Sequence, residues 1–227
     1  MSAPATSSRS RLTVALLAVI AVGLVLLGGG LAVALGIGRS PVPTADSVDA
    51  GFARDMSRHH LQAVEMANLA PERSHDREVR QLAFDISATQ TNQVGRMQGW
   101  LALWGLTQST GAPMSWMGSS APSGHAMSGM DMGGADPAGS ALMPGMATDA
   151  ELANLRRLSG TAFDVEFLRL MIRHHEGGKD MAAYAAEHAD QAAVRDLAQS
   201  IVDTQTVETA TMTDMLTARG GTPLPAP

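Results

Sequence analysis

Apolar residues recur at intervals of three and four positions in separate stretches of this chain, after one continuous apolar run near the N-terminus. Such spacing places side chains on one face of an α-helix. With Asp46 or Ser47 as the candidate N-cap, the first stretch predicts a helix that ends at Pro71. The same pattern predicts helices over 76–104, 148–158, 162–188 and 191–219, and the tail 221–227 stops the last one.

The apolar run covers residues 12–38 and contains no charged residue. About 20 apolar residues cross a bilayer, whereas the apolar part of a signal peptide has about 7–15. We therefore favour an uncleaved transmembrane anchor, although Ala32-Val33-Ala34 resembles a signal-peptidase site. Arg9 and Arg11 favour a cytoplasmic tail over residues 1–11. A linker over 39–46 would then lead to an extracytoplasmic domain of a single-pass protein of the cell membrane.

An internal repeat organises that domain. When residues 48–105 are placed on 163–220, an offset of 115 without gaps, 22 of 58 positions are identical. Each copy predicts a helical hairpin, the first over 47–106 and the second over 148–220. One hairpin cannot cover its own apolar face, so the two should pack as an all-α four-helix bundle with a pseudo-twofold axis.

Composition excludes several functions. The formal net charge is −6 and no Lys/Arg block occurs, which argues against a nucleic-acid partner. There is no Cys, which excludes disulfides, thiolate zinc sites and cysteine nucleophiles. A di-iron bundle would need several Glu-x-x-His motifs, and only Glu72-x-x-His75 is present. With no hydrolase or nucleotide fingerprint either, we do not expect an enzyme.

Both copies carry Met-x-Arg-His-His. Met56 precedes His59 and His60 by three and four positions, and Met171 precedes His174 and His175 in the same way, so each set shares one helix face. Thioether and imidazole together favour Cu(I), and by the same argument Ag(I), over Mg²⁺ or Ca²⁺. The alternative is that the methionines fill the core and the histidines bond to Gln90 and Gln205 on the partner helices.

The segment 107–147 is rich in Gly, Ser, Ala, Pro and Met and has no helical period, which predicts a flexible loop without a core. It nevertheless holds seven of the 15 methionines. Since such a segment has nothing to pack against, clustered thioethers around a soft ion give a reason for the pattern. The candidate ligands here are Met114, Met117, His125, Met127, Met130, Met132, Met143 and Met146.

The second copy resembles a known family. It contains Phe167-x-x-x-Met171-x-x-His174-His175, Asp180-Met181-Ala182, Val194-Arg195-x-Leu197-Ala198, Ile201, Gln205-x-x-Glu208 and Met212, an order and spacing similar to the family called domain of unknown function 305. The resemblance is close over 160–220 and weaker over 48–105.

This resemblance implies a ferritin-like four-helix bundle, usually exported, which in some members binds copper through Met and His. It adds Met66 and Met181 to the candidate ligands. The family pattern His-His-Gln-Gly-Ala is replaced here by His-His followed by Glu176-Gly177-Gly178 or by Leu61-Gln62-Ala63, and Gln93 stands where the second copy has Glu208. Whether both halves bind metal is left open.

Together these observations predict a membrane-anchored extracytoplasmic protein that buffers, chaperones or confers resistance to Cu(I), with Ag(I) as a second cargo. The loop would capture the ion and the bundle would hold it. The expected partners are the metal ion, the membrane through the N-terminal helix, and copper-handling proteins of the cell envelope. The competing hypothesis is a structural or protein-interaction bundle that binds no metal.

Overall fold

The computed structural model describes residues 8–36, 41–109, 111–120 and 143–225. The chain forms two compact units, Met1–Pro41 and Val42–Pro227. All regular secondary structure in the described ranges is helical, which confirms the predicted all-α class. Parts of the predicted tails, the anchor's end at 37–38, the start of the linker and residues 121–142 of the loop lie outside the described residues.

The first unit contains one long helix, α1 (Ser8–Ala34). Its part Arg11–Ala34 is long and apolar enough to cross a membrane. A signal sequence near the N-terminus has the same properties, so the helix is compatible with either of the two outcomes considered above.

The first hairpin of the second unit consists of α2 (Val48–Ala67) and α4 (Arg77–Leu103), with a single turn α3 (Ala70–Arg73) between them. Ser47 caps α2, since its hydroxyl accepts the Ala50 N–H at 3.2 Å. Pro71 does not end α2 as predicted. It lies in the first turn of α3, where a missing N–H costs no hydrogen bond.

The second hairpin consists of α5 (Asp149–Arg157), α6 (Gly160–His188) and α7 (Ala192–Ala218). At the start of α5, the Thr148 hydroxyl accepts the Glu151 N–H, and the Glu151 carboxylate accepts the Thr148 N–H at 2.8 Å. This reciprocal cap explains why a helix begins immediately after the Met-rich segment.

Helices α2 and α4 pack together, α6 and α7 pack together, and α2 packs against α6, which gives the four-helix bundle. Asp49, at the start of α2, accepts the backbone N–H groups of Asp190 and Gln191, just beyond the end of α6. Helices α2 and α6 are therefore antiparallel. Equivalent residues of the repeat are buried in both copies, among them Phe52 and Phe167, and Ile86 and Ile201.

Both ends of the segment between the hairpins pack into the core. The prediction that 107–147 is a flexible loop without a core is therefore wrong at these ends. A 3₁₀ segment, Ser115–Ser120, packs against α2 and buries Trp116 and Met117. Met143 and Ala147 are buried at the other end. Trp116 can approach because residue 51 is glycine: a Cβ at Gly51 would lie 2.3 Å from Cγ of Trp116.

Candidate metal centre

The inner histidines of the two copies meet where α2 contacts α6. The ring centroids of His59 and His174 are 3.8 Å apart, and both side chains are fully buried. His174 Nε2 lies 3.0 Å from the carbonyl oxygen of His59, and His59 Nε2 lies 3.0 Å from that of Pro144. A carbonyl only accepts, so both Nε2 atoms carry the proton and both Nδ1 atoms carry a lone pair.

The outer histidines each bond to the second helix of their own hairpin. His60 Nε2 lies 2.8 Å from Oε1 of Gln93, and His175 Nε2 lies 2.8 Å from Oε2 of Glu208. The alternative prediction that the histidines bond to Gln90 and Gln205 is wrong. Both are buried, but the bonds are made one helical turn further along α4 and α7.

Several buried polar atoms at this place have no hydrogen-bond partner in the protein. Within the described ranges there are ten such side-chain atoms, and eight of them belong to six residues of this centre. They are Nδ1 of His59, His60, His174 and His175 and both amide atoms of Gln90 and Gln205. Unpartnered polar atoms are costly inside a protein, so their concentration here indicates a site retained for something other than stability.

Burial keeps the imidazoles of His59, His60 and His174 neutral. It lowers the pKa of His59 to about 4 and that of His60 to about 3, and it holds the pKa of His174 well below its usual value. A neutral imidazole with a free Nδ1 lone pair is the form that binds a metal ion. An outer acceptor on Nε2–H, as each of the four has here, fixes the ring and increases the basicity of the ligating nitrogen.

The methionines of the bundle lie in two apolar clusters. Met56 and Met181 share one cluster with Met97, whereas Met66 and Met171 share the other with Met212. All four candidate ligands are fully buried. The antiparallel arrangement thus pairs a methionine of one copy with a methionine of the other in each cluster.

The methionines of the inter-hairpin segment divide into two groups. Met117 and Met143 are buried in the cluster that contains Met56 and Met181, and the half-buried Met114 and Met146 pack against it. Five thioethers are therefore buried in this one cluster, and two more border it. The remaining candidates, His125, Met127, Met130 and Met132, lie outside the described residues.

Residues 143–147, named here the strap, run directly over α6 beside the histidines. A Cβ at Gly177 would lie 2.2 Å from the carbonyl oxygen of Pro144, and a Cβ at Gly145 would lie 2.4 Å from that of Arg173. The two backbones meet because both positions are glycine. The Gln62 amide fastens the strap by accepting the Ala147 N–H at 2.7 Å and donating to the Ala147 carbonyl at 2.9 Å.

The sequence did not identify Gln62 or the contact of the strap backbone with α6, and it noted Gln93 and Glu208 only as a difference between the two copies. The dipeptide Pro144-Gly145 was the available signal, since it marks a defined turn inside an otherwise irregular segment. Among the described residues, no three His, Asp or Glu side chains converge to hold a metal ion.

Comparison with known proteins gives a family and a fold. The family model described as "Domain of unknown function (DUF305)" matches residues 49–216. A crystal structure of a DUF305 protein from Streptomyces coelicolor, itself predicted to be secreted, is 43% identical over 80% of this chain and 99% of that chain, with a TM-score of 0.69. A DUF305 fragment from Deinococcus radiodurans is 32% identical over 78% of this chain and 99% of its own, with a TM-score of 0.60.

CopM has the same fold. Its Cu(I)-bound form is 22% identical over 76% of this chain and 98% of that chain, with a TM-score of 0.56. Its Cu(II)-bound form is 25% identical over 76% of this chain and 97% of that chain, with a TM-score of 0.54. No curated protein matches the chain.

Proposed function

Because the chain belongs to the DUF305 family, over residues 49–216, we propose that it binds a soft metal ion, Cu(I) first and Ag(I) second. One observation carries the proposal. Four buried imidazoles each have Nε2 bonded to an acceptor, and each keeps Nδ1 without a partner. This is the arrangement that metal-ligating histidines have.

The donor set fits a soft ion better than a hard one. The residues that would hold it are the histidines at 59, 60, 174 and 175 with the thioethers of Met56, Met66, Met171 and Met181. Thioether sulfur and neutral imidazole favour Cu(I), while Mg²⁺ and Ca²⁺ need oxygen ligands. CopM, whose Cu(II)-bound form is 25% identical to this chain, has also been solved with Cu(I) and with Ag bound, which makes copper the first metal to test.

We propose that the protein binds and holds the ion rather than transforming it, as a buffer, chaperone or resistance factor. The Met-rich segment would capture the ion and pass it to the bundle, because its two ends already contact the cluster that contains Met56 and Met181. In this proposal α1 is an uncleaved anchor, the cell membrane holds the N-terminus on the cytoplasmic side, and the bundle lies outside. Copper-handling proteins of the envelope would be its partners.

The test is a titration of the full chain in detergent with Cu(I) against a chromogenic chelator, with Zn(II) as the comparison metal. The proposal expects at least one Cu(I) to be withheld from the chelator and Zn(II) to bind weakly. The double variant His174→Ala/His175→Ala should withhold fewer Cu(I) ions than the wild type. The matched control is His75→Ala/His188→Ala, which removes two exposed imidazoles.

Thermal unfolding separates this proposal from a bundle without metal. A ligand stabilises only the state that binds it, so Cu(I) should raise the melting temperature of the wild type and of the control by more than that of His174→Ala/His175→Ala. If the variant melts lower than the wild type by the same amount with and without Cu(I), the histidines only support the fold.

A further inference from the structure

The outer histidines of the two copies differ in the group that accepts their hydrogen bond. The outer histidine His60 bonds to Gln93, whereas its counterpart His175 bonds to Glu208. Each bond runs from Nε2 to a side-chain oxygen at 2.8 Å, and each joins residues 33 positions apart. Positions 93 and 208 are equivalent in the repeat, so a neutral amide and a carboxylate occupy the same place in the two halves.

This difference matters for a bound cation. Inside a protein an uncompensated positive charge is unfavourable, and a nearby negative charge offsets that cost. The Glu208 side chain is 17% exposed and is hydrogen-bonded to a fully buried imidazole, so it can offset the charge of an ion on His175. The nearby guanidinium of Arg173 does not cancel this effect, because Glu151 neutralises it at 2.7 Å.

The first copy has no such group. In the part of the chain that the structure describes, the hydrogen bonds of the His59 and His60 rings go to the carbonyl of Pro144 and to Gln93, which are both neutral. Asp55 lies one helical turn before His59 on α2, but its carboxylate bonds to Met114 N and to Nε1 of Trp116 and to neither histidine ring.

We infer that Glu208 makes the histidine pair of the second copy the tighter Cu(I) site, and that Gln93 makes the pair of the first copy the weaker one. The inference rests on the proposed function. It assigns the charge at position 93 or 208 as the determinant of which half loads first.

A purely structural role does not explain why position 208 carries a carboxylate where position 93 carries an amide. Gln93 holds His60 at the same distance, so an amide suffices to orient the ring. The chain thus supplies its own matched substitution: Glu208→Gln keeps the bond to Nε2–H and removes only the charge. Gln93→Glu introduces the charge in the first copy.

The experiment uses the full chain in detergent and resolves the Cu(I) affinities by competition with chelators of graded strength. Glu208→Gln should weaken the tighter site roughly 10- to 100-fold, the usual effect of altering the acceptor behind a metal-ligating histidine. Gln93→Glu should tighten the weaker site. In the exchange variant Gln93→Glu/Glu208→Gln, the tighter site should move, so that His60→Ala and no longer His175→Ala removes it.

Three results would overturn the inference, and they can be distinguished from one another. If the wild type withholds no Cu(I), the proposed function fails and this inference fails with it. If the wild type binds but Glu208→Gln leaves both affinities unchanged, the inference alone is overturned. It is also overturned if Glu208→Gln lowers the melting temperature of the metal-free protein and the exchange variant does not move the tighter site to His60, because Glu208 then acts only on the fold.

Discussion

The imidazole rings of His59 and His174 lie against each other in the middle of the bundle, with centroids 3.8 Å apart and planes inclined by 38°. The two residues are equivalents in the repeat, so the contact joins one copy to the other. Two buried rings at this distance cannot both carry a proton without strong repulsion. The centre of the bundle is therefore stable only with neutral histidines.

We predict that the metal-free protein loses stability as the pH falls from 6.5 to about 4. In this range the unfolded chain binds protons at His59, His60 and His174, and the folded chain does not, because burial lowers the pKa of each. The free energy of unfolding should fall with pH by at most about 1.4 kcal/mol per pH unit for each histidine. Urea unfolding with a chelator present, at several pH values in this range, measures the slope.

Single substitutions show which histidines cause this dependence of stability on pH. His174→Gln removes one of the three imidazoles whose pKa is lowered by burial, and it should make the dependence on pH shallower. His188→Gln is the comparison variant, at a histidine whose side chain is 44% exposed. A wild type whose stability does not change across this range would contradict the burial of neutral histidines.

The buried side chains of Gln90 and Gln205 should lower the free energy of unfolding of the metal-free protein. Both are buried and neither amide atom has a partner in the protein. An unpaired buried polar group costs about 1–3 kcal/mol, so Gln90→Leu or Gln205→Leu should stabilise the metal-free protein by up to that amount. Gln93→Leu is the matched control on the same helix, and it should destabilise because His60 loses its acceptor. Equal destabilisation by Gln90→Leu and Gln93→Leu in urea unfolding would show that the Gln90 amide is satisfied.

The strap depends on glycine where two backbones touch. Gly177→Ala places a Cβ at 2.2 Å from the Pro144 carbonyl oxygen, so the strap must move and His59 Nε2 loses its acceptor. We expect a loss of about 1–3 kcal/mol in the free energy of unfolding, the cost of an unpaired buried group. Gly99→Ala is the control, because a Cβ there meets nothing within 4 Å, and it should be neutral or stabilise by up to about 1 kcal/mol.

Hydrogen exchange reports on the same variant. The amide of Ala147 donates to Gln62 in the wild type, and it should exchange faster in Gly177→Ala than in Gly99→Ala. Equal exchange at Ala147 in the two variants would mean that the strap does not need the glycine contact.

The helices were predictable because their signals are local. The apolar period, the cap at Ser47 and the caps at Asp76 and Thr148 all lie within a few residues of what they determine. The fold class followed from the repeat, since two equivalent hairpins have only each other to cover their apolar faces.

The partners of the histidines were not predictable in the same way. Gln90 and Gln93 differ by one turn, and which of them meets His60 depends on how far α4 is shifted along α2. The apolar period does not fix that shift. The packed ends of the Met-rich segment were missed for a different reason: Trp116 and Met117 have no periodic neighbours, and the room for Trp116 comes from Gly51, far away in the sequence.

The division of the loop methionines leads to the last prediction. Met127, Met130 and Met132 lie outside the described residues, whereas Met117 and Met143 fill the core. If the loop captures the ion, the triple variant Met127→Leu/Met130→Leu/Met132→Leu should lower the number of Cu(I) ions bound. Met117→Leu/Met143→Leu keeps the core volume, so it should cost less than about 1.5 kcal/mol per site. Copper stoichiometry by competition titration and melting of the metal-free protein measure both effects. If the triple variant binds as much Cu(I) as the wild type, the loop does not capture the ion, and the bundle must acquire it without the loop's thioethers.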